Sequence, residues 1–365
     1  MDRSALLSLH EAEKARLRPG GPPEVLTFGD VPGEYRAGIE GCVVFDATDR
    51  GSVLVRGADA FAFLHRLLTS DVLGLAEGRS QESLLLSSKG KVLFGFRLYR
   101  TPEGAWLSVP PRTAPALLSA LETYHFAEKV EIADQTSLHA PLLVCGPAAA
   151  DVLRSAGALE GALEEDAFRR RRVDGADLLV ARLPVAGSPG FLVDAGPEAA
   201  PAWWNRIRGA GARAAGVVAR DILRVEAGQA LYGEDVDENV YPQEARLEAA
   251  FSLTKGCFIG QEVVAKIDTY GGLNKRLVGL RISHSDPVAQ GTRLALDEEG
   301  ERRELGVITS WAYSFALDTG LALGYAKRRH QKPGTTFLLG EAGATAEIVK
   351  LPVRPGALAL TGEFE

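Results

Sequence analysis

The stretch Lys255-Gly256-Cys257-Phe258-Ile259-Gly260-Gln261-Glu262 sets one of only three cysteines in a glycine-flanked turn among charged neighbours. A structural cysteine behaves as a small hydrophobe and sits in an apolar run. Cys42 in GCVVFD and Cys145 in PLLVCGP fit that description, and Cys257 does not. The residues that follow, GQEVVAKI, read as the first turns of a helix. A thiol beside a helix N-terminus and a lysine has its thiolate favoured, which makes it reactive. Gly256 and Gly260 let the backbone bend sharply and let a ligand or partner come close. The competing reading is a buried cysteine in a glycine turn, and composition alone weights the two evenly.

Just upstream, Glu226, Asp235, Asp237, Glu238 and Glu244 surround Tyr232 and Tyr241 and lead into the cysteine turn. One carboxylate can accept two parallel hydrogen bonds from a flat heterocycle with adjacent N–H donors, such as a pterin, while an aromatic side chain packs on the ring face. An acidic surface loop has the same composition and is the plainer reading.

These residues need elements to hold them. A chain of 365 residues exceeds what one core serves, so two or three compact units are expected. The segment from Gly38 to Val72 reads as strand, turn, strand and helix, with Phe61, Leu64 and Leu68 on one helical face. Strands punctuated by Lys89-Gly90 and Pro102-Glu103-Gly104 follow as antiparallel hairpins, and then a second amphipathic helix, RTAPALLSALETYHF. Helix, sheet and helix in this order suggest an α+β unit rather than a doubly wound parallel sheet. PAWWNRIRGAGARAAGVVARDILRVEAG supplies two helices, the second closed by Gly228. From Lys275 onward, regularly spaced short strands predict a small barrel or sandwich. The N-terminal MDRSALLSLHEAEKARLRPG reads as a short amphipathic helix ended by Pro19 and Gly20, without the features of a signal peptide.

Composition excludes several classes. A net charge of −7 argues against a protein that coats nucleic acid, and the run Arg169 to Arg172 reads as a solvated strand face. No apolar run is long enough to span a bilayer, and three cysteines make no disulfide framework; a reducing cytoplasm is expected. There is no GxxxxGK[ST], GxGxxG after a strand, GxSxG or HExxH, and the histidines and cysteines lack metal-ligand spacing, so no metal site is expected. His125 and His139 read as surface or packing residues.

RDILRVEAGQALYGEDVD…YPQEARLEAAFSLTKGCFIGQEVVAKI…NKRLVGL closely resembles the folate-binding YgfZ proteins, relatives of the glycine-cleavage T-protein, an aminomethyltransferase. VVFDATDRGSVLVRGADAFAFLHRLLTSDV is similar to the shared opening of that superfamily, and ELGVITSWAYSFALDTGLALGYA to its closing barrel. The discriminating piece is K-G-C-[FY]-x-G-Q-E, met by Lys255, Gly256, Cys257, Phe258, Gly260, Gln261 and Glu262. The resemblance implies three domains in a ring around a central cavity: a split first domain (1–48 plus 138–249), an inserted α+β domain (49–137), a linker with the cysteine motif (250–274) and a C-terminal β-barrel (275–365). It implies tetrahydrofolate or a derivative as ligand, with Glu244, Gln243, Tyr232, Glu226 and Arg276 at the folate, and Lys255, Lys266, Lys275 and Arg276 as charges for its glutamate tail. Cys257 is implied as the functional residue.

One departure sorts the subfamilies. Where the T-protein carries an Asp pair in a G-G-V-I-D-D-L strand, this chain has KGKVLFGFRLY, with Phe94 and Gly95 in those places. Aminomethyl transfer needs a charged group near the folate nitrogen. The resemblance therefore implies a folate-binding protein that assists iron–sulfur cluster assembly or repair in client enzymes, tRNA-modifying ones among them, with no turnover of its own. Its partners are folate and iron–sulfur client or assembly proteins, with neither membrane nor nucleic acid. The alternative is a tetrahydrofolate-dependent aminomethyltransferase, methyltransferase or demethylase. A third class, a scaffold with a vestigial pocket, would bind no folate.

Overall fold

The computed structural model describes residues 5–20, 24–298, 301–340 and 343–358. Alternation along the strand Val43–Asp46 builds the first layer. Val43 and Phe45 point to one side of a six-stranded sheet and Val44 to the other. The sheet runs in the order Phe168–Val173, Ala176–Val185, Ser188–Asp194, Pro141–Cys145, Val43–Asp46, Arg213–Ala214. Only the last pair is parallel. Helix Gly196–Gly209 covers one face, with Trp203, Trp204 and Ile207 buried against Val44, Leu142 and Val144. Burying side chains of this size is worth about 2–3 kcal/mol each. The arginine run lies on the edge strand, where Arg170 and Arg171 pair with Glu103 and Glu160.

The second sheet takes the order Ser80–Leu86, Val92–Thr101, Gly104–Val109, Gly51–Arg56, Glu131–Asp134, antiparallel throughout. Both anticipated hairpins are present. Helices Ala60–Leu67 and Ala114–Glu122 cover its outer face, where Phe63, Leu64, Leu117 and Leu121 meet Val53, Leu85, Phe96 and Leu98. The inner face sends Leu54, Leu84, Leu86, Tyr99 and Trp106 into a core shared with the first sheet and the barrel.

Six strands close the barrel: Lys275–Ile282, Thr319–Lys327, Glu301–Ser314, Arg293–Glu298, Thr336–Leu339, Ala344–Val349. Val278, Leu280, Ile308, Phe337 and Ile348 fill it. Closure leaves no free sheet edge. The fold is thus mixed α and β with a closed C-terminal barrel, as the sequence predicts. Helix Val217–Ala227 lies between the units and ends at Gly228, whose φ of 78° is the left-handed cap expected of glycine.

The N-terminal segment departs from expectation. Its helix covers Leu7–Ala12 only, and Arg16–Leu17 leaves to pair with Val25–Thr27. Strand pairing with the nearby segment Val25–Thr27 overrides the local amphipathic pattern. Residues 1–4 of that predicted helix lie outside the described residues. Among the described residues no helix is long and apolar enough to cross a membrane.

Candidate functional site

The cysteine turn is positioned by its glycines and by Phe258. Phe258 is buried in the shared core. Gly260, at φ 80°, is the N-cap of helix Gln261–Tyr270. A Cβ there would stand 2.6 Å from the Ser87 carbonyl oxygen and 2.9 Å from Gly90 Cα, so the turn docks on the Lys89-Gly90 hairpin. Gly256, at φ 106°, has open space around it. Cys257 itself is exposed. It precedes the Gly260 cap, so it stands just ahead of a helix that begins at Gln261, within the stretch the sequence reads as the helix start. Lys255 Nζ donates to the His65 carbonyl, and His65 Nε2 meets the Lys255 carbonyl at 3.1 Å. Burial lowers the Lys255 ammonium to about 8, against the pull of Asp71 and Cys257. Gln261 is half-buried at the helix start, while Glu262 and Lys266 form an exposed i,i+4 pair.

The segment before the turn is pinned to the barrel. Leu277 N–H donates to the Glu244 carbonyl at 2.8 Å, and Arg246 Nε donates to the Leu277 carbonyl at 2.8 Å. The Glu244 carboxylate is buried; its Oε2 accepts from Tyr241 N–H at 2.9 Å and lies 3.6 Å from Lys91 Nζ. Lys91 Nζ sits 3.3 Å from the Tyr241 ring centroid and donates to the Asn239 carbonyl. Burial lowers the Lys91 ammonium, opposed by Glu244. Gln243 Nε2 donates to the Val264 carbonyl at 2.9 Å, leaving Oε1 buried without a partner. Arg276 Nη2 donates to Glu248 Oε1 at 2.8 Å. Gln243, Glu244 and Arg276 therefore gather where helix Gln261–Tyr270 meets the barrel.

Glu226 is placed elsewhere, as part of the frame. It is fully buried; Oε2 accepts from the Tyr35 hydroxyl at 2.7 Å, and Oε1 from the Ser314 hydroxyl at 2.7 Å and Ala316 N–H at 3.0 Å. Arg354 Nε lies 3.8 Å away. Asp235 is likewise committed, to Arg224 Nη1 at 2.9 Å and Ser310 Oγ at 2.7 Å. Neither carboxylate has an oxygen left to offer a ligand without breaking a buried network, a costly exchange.

A different set lies on the inner face of the five-stranded sheet. Phe94 turns to the outer face, packed with the helix-side core, so of the pair singled out in sequence only Gly95 faces inward. A Cβ at Gly95 would overlap Cε1 and Cζ of Tyr232, whose ring lies directly on the bare backbone. Burial pushes the Tyr232 hydroxyl well above its ordinary range, with the Glu82 charge adding to the shift. Arg50 donates to Ser108 Oγ at 3.1 Å, and burial lowers its guanidinium. Asp49 and Arg220 line a cleft with Glu24, Asp46 and Gly216, and surrounding protein raises the Asp49 carboxyl. Sequence reading missed Glu82 and Arg50. The available signal was the alternation in Ser80-Gln81-Glu82-Ser83-Leu84, which puts Glu82 on the face of Leu84.

Comparison with known proteins covers nearly the whole chain. The family described as the GCVT N-terminal domain matches residues 21–255, and the glycine cleavage T-protein C-terminal barrel domain matches residues 275–353. The aminomethyltransferase of Rubrobacter xylanophilus is 34% identical over 360 residues, covering 96% of this chain and 93% of that protein. The aminomethyltransferase of Halothermothrix orenii is 26% identical, covering 96% and 99%. The crystal structure of the glycine cleavage system aminomethyltransferase T from Bartonella henselae superposes with a TM-score of 0.88 at 26% identity, covering 98% of this chain and 99% of that one.

Proposed function

Since the chain belongs to the glycine-cleavage T-protein family, we propose that it binds tetrahydrofolate and works as a folate-dependent one-carbon transferase of the aminomethyltransferase kind. The relatives carry that name along their full length, which favours the transfer reading over the iron–sulfur one. The observation that carries it is the inner sheet face, where the Tyr232 ring lies on the bare backbone of Gly95 and Glu82 stands on the same face of the neighbouring strand.

This donor set fits a reduced folate. An aromatic ring offers a stacking face, a carboxylate offers acceptors for N–H groups, and guanidinium groups suit the carboxylates of a glutamate tail. Glu244, buried beside Lys91, and Gln243, with its orphaned Oε1, are proposed for the pterin edge, and Arg276 for the tail. Bound tetrahydrofolate would supply a nitrogen that accepts the one-carbon unit. The protein's part is to orient the ring, exclude water around it and hold charge near that nitrogen.

A second reading, assistance to iron–sulfur assembly or repair in the manner of the YgfZ proteins, is favoured by Cys257. Its thiol is exposed on a glycine-flanked turn, as a group meant to meet a partner would be. The two readings part in one experiment. The protein is added to an aminomethylated carrier protein with tetrahydrofolate, and ammonia release is followed. Steady release supports transfer. No release, together with rescue of iron–sulfur enzyme activity in deficient cells that Cys257→Ser abolishes, establishes the second reading instead.

A further inference from the structure

The strand Ser80–Leu86 sends Leu84 and Leu86 into the shared core and Leu85 beneath the outer helices. Glu82, two residues from Leu84, lies on the same inner face. Leu84 pairs with Gly95 on the neighbouring strand, and Tyr232 covers Gly95. Glu82 and Tyr232 thus share one face of two adjacent strands. Arg97, directly opposite Glu82 in register, turns instead to Ser80 Oγ at 2.9 Å and Asp166 Oδ1 at 2.6 Å. Arg50, on the same inner face, donates its own hydrogen bonds to Ser108. Among the described residues the half-buried Glu82 carboxylate makes no hydrogen bond and no ion pair, although Arg97 stands opposite it in register. A half-buried carboxylate with no protein partner keeps its acceptor oxygens available to a donor that approaches along this face.

We infer that Glu82 is the carboxylate that faces the reacting nitrogen of the bound reduced pterin. It stands one strand away from the position where the T-protein pattern has its aspartates, a position that Gly95 leaves bare and Tyr232 fills. The inference rests on the tetrahydrofolate reading above. Chemistry fixes its consequence. In tetrahydrofolate the ring nitrogen that reacts carries a hydrogen and donates to a carboxylate. In folic acid the same nitrogen presents a lone pair, which a carboxylate repels. Glu82 therefore makes the protein prefer the reduced ligand.

The test is anaerobic calorimetry with tetrahydrofolate and with folic acid, on the wild-type chain, Glu82→Gln and Glu82→Asp. The expected result is a wild-type preference for tetrahydrofolate that falls about tenfold in Glu82→Gln, whose size is unchanged, and persists in Glu82→Asp, which keeps the charge. A thermal melt shows that each variant is folded; should the Gln variant not fold, loss of the preference in Glu82→Asp overturns the assignment. An unchanged preference in a folded Glu82→Gln overturns it too, and leaves the folate reading standing. Equal weakening of both ligands also overturns it, since that is the mark of a group that only shapes the site. A wild-type chain that binds neither ligand defeats the folate reading itself, and this inference with it.

Discussion

Burial divides the three cysteines. Cys42 and Cys145 are enclosed, and burial pushes both thiols up to about 12, so almost none of either is thiolate near neutral pH. Cys257 is open to solvent. At pH 8 an alkylating reagent should label Cys257 at least ~100-fold faster than the other two while the fold is intact, and mass spectrometry of timed samples checks it. Comparable rates would contradict the placement of all three. That contrast was legible in sequence, because charged neighbours set Cys257 apart from the apolar runs around Cys42 and Cys145. Glu226 was not legible. Its partners Tyr35 and Ser314 are 191 and 88 residues away in the chain, and no local pattern reveals such a bond. Glu82 was hidden for a related reason: the run Leu84-Leu85-Leu86 is apolar on both faces and masks which side its neighbour takes.

At the scale of elements, turn chemistry and periodicity served well. Gly228 capped its helix, the Lys89-Gly90 and Gly104 hairpins formed, and the strands predicted after Lys275 closed a barrel. The N-terminal helix failed where pairing with Val25–Thr27 competed, and periodicity could not say which of Phe94 and Gly95 faces inward. The contact between the strand Val92–Thr101 and the Tyr232 loop follows from Gly95, which has no side chain to hold them apart. Gly95→Ala should therefore displace the Tyr232 ring and destabilise the chain by about 1–3 kcal/mol, the usual cost of overfilling a packed site. Chemical denaturation measures this. A wild-type midpoint would mean that the ring does not rest on the strand.

At the scale of the whole molecule, the three sheets share one core, and buried carboxylates tie them further. Glu226 joins the helix Val31–Glu40 to the barrel strand Glu301–Ser314, and Asp235 joins Arg224 to the same strand. Removing one partner of such a buried charge network costs about 3–5 kcal/mol. Glu226→Ala should accordingly lower stability by that order without acting through ligand contacts, and a melting curve equal to wild type would contradict its role in the frame. A rigid frame of this kind suits a ligand held among several elements, because the groups around it are positioned before it arrives. The identity of that ligand is decisive. Anaerobic titration of tetrahydrofolate into the wild-type chain tests this most directly: the account predicts saturable binding of one molecule per chain with a raised melting temperature, and a chain that gives neither heat nor stabilisation at millimolar tetrahydrofolate would contradict it.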